Sequence, residues 1–100
     1  MDFKQKIQAA IKEAMRSKDE LRLSVLRMLS SAMHNREIEK RTKSGKSEEL
    51  AEEEITASIR SEVKKRRDSI AEFEKGGRKD LVEKESAELK ILEEYLPPEL

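Results

Sequence analysis

Apolar side chains in this chain return every three or four residues in four successive stretches, and that spacing constrains the fold more than any other feature. Phe3, Ile7, Ala10, Ile11 and Ala14 form one stripe, and Leu21, Val25, Met28, Leu29, Ala32 and Met33 form a second. Ile55, Ile59, Val63, Ile70 and Phe73 form a third, and Leu81, Leu89, Leu92, Tyr95 and Leu96 a fourth. A period near 3.6 puts each set on one side of a helix. The expected fold is all-α, a bundle of about four amphipathic helices over residues 2–16, 18–40, 51–75 and 80–96. Leu23 and Leu26 fall off the second stripe, so that helix is expected to be covered on more than one side.

Local signals punctuate the stripes. Asp2 with Gln5, and Ser17 with Glu20, have the spacing of capping boxes. Lys40-Arg41-Thr42-Lys43-Ser44-Gly45-Lys46 interrupts the apolar period and reads as a polar loop. Ala51 falls at the next cap position, a poor one, with Glu54 in the acid position of a box and Leu50 placed to staple on Ile55. Gly76-Gly77 ends the third helix, Asp80 with Glu83 is expected to cap the fourth, and Pro97-Pro98 stops it. No internal repeat or low-complexity tract interrupts the pattern.

One hundred residues suit one compact domain and leave no room for a second core. Charged residues make up 44% of the chain against 35% hydrophobic ones, a balance also found in disordered chains. The 22 basic and 22 acidic residues cancel, however, and the apolar residues are periodic, which favours a thin helical bundle. With a pI near 6.6 the chain is no polycation, so any nucleic-acid contact must come from local clustering. There is no cysteine, no apolar leader and no run near the ~20 residues of a membrane span. The expected location is cytoplasmic, with no membrane partner.

Charges also fall on the apolar faces. At 100° per residue Arg66 lies within the third stripe, Arg36 continues the second, Glu85 lies at the centre of the fourth and Glu88 at its edge. One reading is a partly buried structural cluster of Arg36, Arg66, Glu85 and Glu88. The other leaves an arginine open in a groove for phosphate or carboxylate.

Catalysis needs a nucleophile with a base, a metal set or a paired acid and base, and the sequence offers none that convinces. His34, the only histidine, points away from its stripe. Ser30, Ser31 and Ser69 have no base nearby in sequence, and no phosphate-cradling glycine motif occurs. No catalytic residue, metal or cofactor is expected. The remaining candidates are basic: Arg36, Lys40, Arg41, Lys43 and Lys46 in one segment, Lys64, Lys65 and Arg67 in another, and Arg78 with Lys79 in a third. They suit either an RNA-phosphate surface or an ordinary solvated face. Phe3, Phe73 and Tyr95 fall on core stripes, so the interleaved aromatics of a single-strand binder are not apparent.

The stretch LRLSVLRML, Leu21 to Leu29, and the longer KKRRDSIAEFEKGGRKDLVEKESAELKILEEYLP, Lys64 to Pro97, resemble the YqeY-like proteins, relatives of the C-terminal part of the GatB component of the tRNA-dependent glutamyl/aspartyl-tRNA amidotransferase. The combination R-R-D-S-I-x-x-F, R-x-D-L and E-Y-L-P is specific, while each piece alone is weak. The resemblance implies a helical N-terminal domain, here residues 1–96, with 97–100 beginning a linker to a tail domain that the sequence does not contain. It also implies tRNA or an aminoacyl-tRNA complex as partner and carries a carbon–nitrogen ligase association with glutamine as amide donor. No matching position supplies residues for that chemistry, so the expected role is a non-catalytic module assisting tRNA binding. The alternative is a protein-interaction bundle docking through an apolar edge near Leu23, Leu26 and Ile38.

Overall fold

A computed structural model describes residues 2–45 and 49–97. Lys46 of the expected loop, Pro98 of the expected stop and the 98–100 part of the expected linker lie outside those residues. Four helices follow one another: α1 (Phe3–Arg16), α2 (Glu20–Ser44), α3 (Glu52–Lys75) and α4 (Lys79–Glu93). Three-residue turns join α1 to α2 and α3 to α4, which makes each pair an antiparallel hairpin. Lys4 reaches Glu37 at 3.7 Å in the first hairpin, and Arg66 reaches Glu88 at 2.6 Å in the second, as antiparallel pairing requires. The hairpins have inverted proportions, 14 and 25 residues against 24 and 15.

Both turns use one hydrogen-bonding scheme. In the first, the Asp19 N–H donates to the Ala14 carbonyl and the Lys18 N–H to that of Met15; in the second, Arg78 donates to Phe73 and Gly77 to Glu74. This crossed pair satisfies carbonyls left open at a helix end and needs a left-handed residue between the two helices. Gly77 supplies it at φ 70°, whereas the first turn holds Lys18 at φ 60°.

The boundaries depart from expectation in four places, each with a local cause. Ser17 is the C-terminal cap of α1, and Asp19 caps α2 by accepting from the Arg22 N–H, so the Ser17–Glu20 box does not form. The polar stretch from Lys40 to Ser44 is helical and ends at Gly45, φ 69°. Lysine and arginine are strong helix formers, and the solvated last turns need no apolar stripe. At α4 the cap position is Arg78 rather than Asp80, which sits in the first turn and faces the Arg78 guanidinium. The helix stops at Glu93, where the N–H groups of Tyr95 and Leu96 turn to carbonyls three residues back ahead of Pro97.

Elsewhere the caps form as expected. Asp2 accepts from the Gln5 N–H at 2.8 Å and Gln5 returns the bond at 3.2 Å. Ala51 has no side chain to offer, but Glu54 accepts from its N–H at 3.0 Å, so half of a capping box survives. Leu50 and Ile55 both pack on the core.

That core runs through Ile7, Ala14, Val25, Leu26, Leu29, Met33, Ile59, Val63, Ile91 and Leu92. Leu26 is fully buried although it lies off the second stripe, while Leu21, on the stripe, is exposed in the first turn of α2. Helix α2 packs against α1, α3 and α4, so its buried sector is wider than one stripe. Burial of Glu88 and Ile91 shows α4 turned toward that side of its predicted stripe.

The segment after α4 ties the two hairpins together. Tyr95 meets Phe3 edge to face, with ring centroids 6.4 Å apart. Arg22 donates to Glu94 at 2.7 Å, and this carboxylate is the main influence raising the arginine's pKa above its ordinary value.

Candidate functional site

The most buried charges join three helices. Arg66 of α3 donates through Nη1 to Glu85 at 2.7 Å and Glu88 at 2.6 Å, both on α4, and through Nη2 to the Met28 sulfur of α2 at 2.9 Å. Its side chain is 12% exposed, those of Glu85 and Glu88 23% and 9%. Among the described residues its Nε is buried without an acceptor. Both carboxylates face inward, and the guanidinium they share is held by protein atoms and sits in no open groove. Arg36, expected in the same cluster, is not there. It is exposed, one helical turn beyond the buried Met33, and borders a groove with Lys40 and Lys43 instead.

The basic candidates divide by what they already touch. Lys40 donates to Glu54 at 2.6 Å and to the Glu49 carbonyl at 3.1 Å. Arg67 faces Glu93 at 3.4 Å, Lys65 faces Glu62 at 3.5 Å, and Arg78 faces Asp80 at 3.2 Å. These pairs leave part of each cation's charge answered within the molecule, and the Arg78 guanidinium holds the Asp80 carboxyl below its ordinary value. Arg36, Arg41, Lys43, Lys64 and Lys79 are exposed, and none is paired with a carboxylate among the described residues.

In space the candidates fall into separate groups. Arg36, Lys40 and Lys43 share one face of α2 and line a groove of about 480 Å³ with Leu50, Glu54 and Ala57 of the opposing segment. Arg78 and Lys79 border a smaller hollow of about 300 Å³ at the α3–α4 turn. From Glu54 to the end of α3 is about 30 Å at 1.5 Å per residue. Lys64, Lys65 and Arg67 lie between, along α3. The basic residues therefore form a series along the length of α3 rather than one compact patch.

Other expectations resolve simply. His34 is exposed, beside Ser30 and Glu37 on a shallow hollow of about 130 Å³. Among the described residues no group of acids, histidines or cysteines is placed to hold a metal. Among the described residues no helix is long and apolar enough to cross a membrane. The proposed apolar edge does not exist as a patch, since Leu26 is in the core and Leu23 packs against it, leaving only Ile38 exposed.

Sequence reasoning missed a groove of about 860 Å³ between α1, the start of α3 and the turn after α4. Phe3 and Tyr95 line it, both half-buried, together with Lys6 and Arg60. Assigning the two aromatics wholly to core stripes hid it; their positions near the chain's helix ends were the available signal.

A four-helix chain of two inverted hairpins, with its charges arranged in this way, is a small helical module. A family model described as "Yqey-like protein" matches residues 4–100, and the chain belongs to that family. It is 42% identical over 85 residues to "Altered inheritance of mitochondria protein 41, mitochondrial" of Kluyveromyces lactis, a match covering 85% of this chain and 43% of the relative. The protein of the same name from Lachancea thermotolerans is 38% identical over 86 residues, covering 86% of this chain and 43% of the relative. The chain thus spans less than half the length of these curated relatives. Their name overturns the cytoplasmic expectation. Absence of cysteine argues only against an oxidising compartment and does not separate one reducing compartment from another.

Proposed function

We propose that this chain is a non-catalytic helical module that binds tRNA, or an aminoacyl-tRNA complex, through phosphate contacts from its exposed basic residues. The observation that carries the reading is that five of the basic residues singled out in the sequence are exposed and without carboxylate partners among the described residues: Arg36, Arg41 and Lys43 near the end of α2, Lys64 on α3 and Lys79 at the start of α4. Side chains already committed to an acid gain less from a phosphate, whereas open ones release counterions on binding. Their spread over about 30 Å suits the regular phosphate spacing of a folded RNA better than a single small anion. The sequence resemblance to relatives of the tRNA-dependent amidotransferase supports the choice of RNA, and the reading assigns the chain no turnover of its own. The compartment carried over from the relatives' name is the mitochondrion.

Titration with unfractionated tRNA at 50 and 200 mM salt tests this. Micromolar binding at low salt that weakens steeply at the higher salt supports the reading, and affinity poorer than about millimolar at low salt rejects it.

A further inference from the structure

The groove of about 860 Å³ brings together groups that the sequence keeps apart: Phe3 and Lys6 from α1, Arg60 from α3 and Tyr95 from the turn after α4. Its volume lies within the roughly 300–1,000 Å³ typical of small-ligand sites. The two rings contact each other edge to face, an arrangement in which one ring presents its face and the other its edge. Lys6 and Arg60 are exposed and, among the described residues, neither has an ion-pair partner. Glu94, which also borders the groove, is already bonded to Arg22 at 2.7 Å.

We propose that this groove binds an unpaired nucleotide of an RNA, with the base against the Phe3–Tyr95 pair and the flanking phosphate between Lys6 and Arg60. The inference rests on the tRNA reading above and names which part of the RNA the module takes. Aromatic surface beside cations is the combination that holds single-stranded nucleotides, because every base offers a π-face and every linkage a charge. The remaining charged groups on the rim, Glu52 and Glu53, lie in the first turn of α3, where the helix N-terminus offsets negative charge. They are seven and eight residues before Arg60, about 11 Å along the axis, so acids and cation occupy different ends. A carboxylate there accepts from an exocyclic amino group of a base, as carboxylates do when they read cytosine.

Tyr95 is the only tyrosine in a chain without tryptophan, so its fluorescence reports the groove directly. An unstructured RNA hexanucleotide should quench it, while a blunt-ended duplex of the same composition should not. Lys6→Glu with Arg60→Glu should weaken the single-strand response about tenfold or more, and Lys12→Glu, exposed and outside the groove, should leave it unchanged. If the charge-reversed pair loses its helical circular dichroism, Lys6→Gln with Arg60→Gln serves instead. No quenching at millimolar hexanucleotide, equal quenching by duplex, or wild-type affinity in the groove variants would overturn the assignment. A parallel titration with tRNA, intact and stripped of its unpaired 3′ end, separates the two ideas. If both forms bind alike and the groove variants bind them normally, the groove assignment fails while the phosphate surface stands; if neither tRNA nor hexanucleotide binds, both fail.

Discussion

At Arg66 one guanidinium serves two carboxylates and a thioether, so the consequence of a substitution depends on which charge it strands. Side-chain exposures of 12% for Arg66 and 9% for Glu88 make this pair costly to break from one side. Glu88→Ala should destabilise by about 3 kcal/mol in a urea titration, and Glu85→Ala by less, because Glu85 is more solvated. Arg66→Met, which removes the cation but leaves two acids facing each other, should be rescued in large part when combined with Glu85→Gln and Glu88→Gln. The two left-handed turn residues give a cleaner backbone test. Lys18 at φ 60° bears a steric cost that Gly77 avoids, so Lys18→Gly should stabilise by about 1 kcal/mol and Gly77→Ala should destabilise by about the same amount. Equal midpoints for Lys18→Gly and the parent chain would mean that the turn relaxes in solution.

Helix ends decide how the four elements meet, and here the acid limb of stability is informative. The Lys40 ammonium, followed by the Ala51 N–H, holds the Glu54 carboxyl below its ordinary value of 4.5. A carboxyl depressed in the folded state contributes stability above its unfolded pKa, and that contribution is lost as pH falls through the folded value. Stability should therefore decline below about pH 4.5, and Glu54→Gln should flatten that decline, as read from urea midpoints between pH 3 and 7. At this scale the stripes were enough to find all four helices, because burial repeats every 3.6 residues and leaves its mark on residues such as Ile7, Leu29, Ile59 and Leu92. Their ends were less legible. The break between α1 and α2 turns on Lys18, a residue with no preference for the left-handed region, so nothing in its type marked the turn and Ser17 was the plausible cap. The last turns of α2 are mostly exposed and meet the opposing segment through the polar Lys40, so no apolar period extended through Arg41 and Lys43. The Arg66–Glu85–Glu88 association was visible because all three sit on inward faces, whereas Arg36 was misplaced because a helical projection fixes a direction around one helix and carries no information about what stands opposite it. The large groove was not legible at all, since it depends on Phe3 and Tyr95 meeting across 92 positions of chain.

For the molecule as a whole, neutrality of total charge conceals an uneven division of labour. Inward acids are matched by Arg66 and several surface acids by neighbouring lysines or arginines, which leaves many cations, Arg36, Arg41, Lys43, Lys64 and Lys79 among them, without a carboxylate partner among the described residues. Membership of the YqeY-like family fixes the lineage, while the role rests on those open charges. The salt dependence of tRNA binding in a paired variant addresses them most directly. Each phosphate contact adds about −0.9 to the slope of log K against log salt on a duplex, so Arg36→Gln with Lys43→Gln should flatten the slope by roughly 2 while Lys40→Gln, whose cation already serves Glu54, changes it by well under 1. A slope identical to that of the unaltered chain in the double variant would contradict the account.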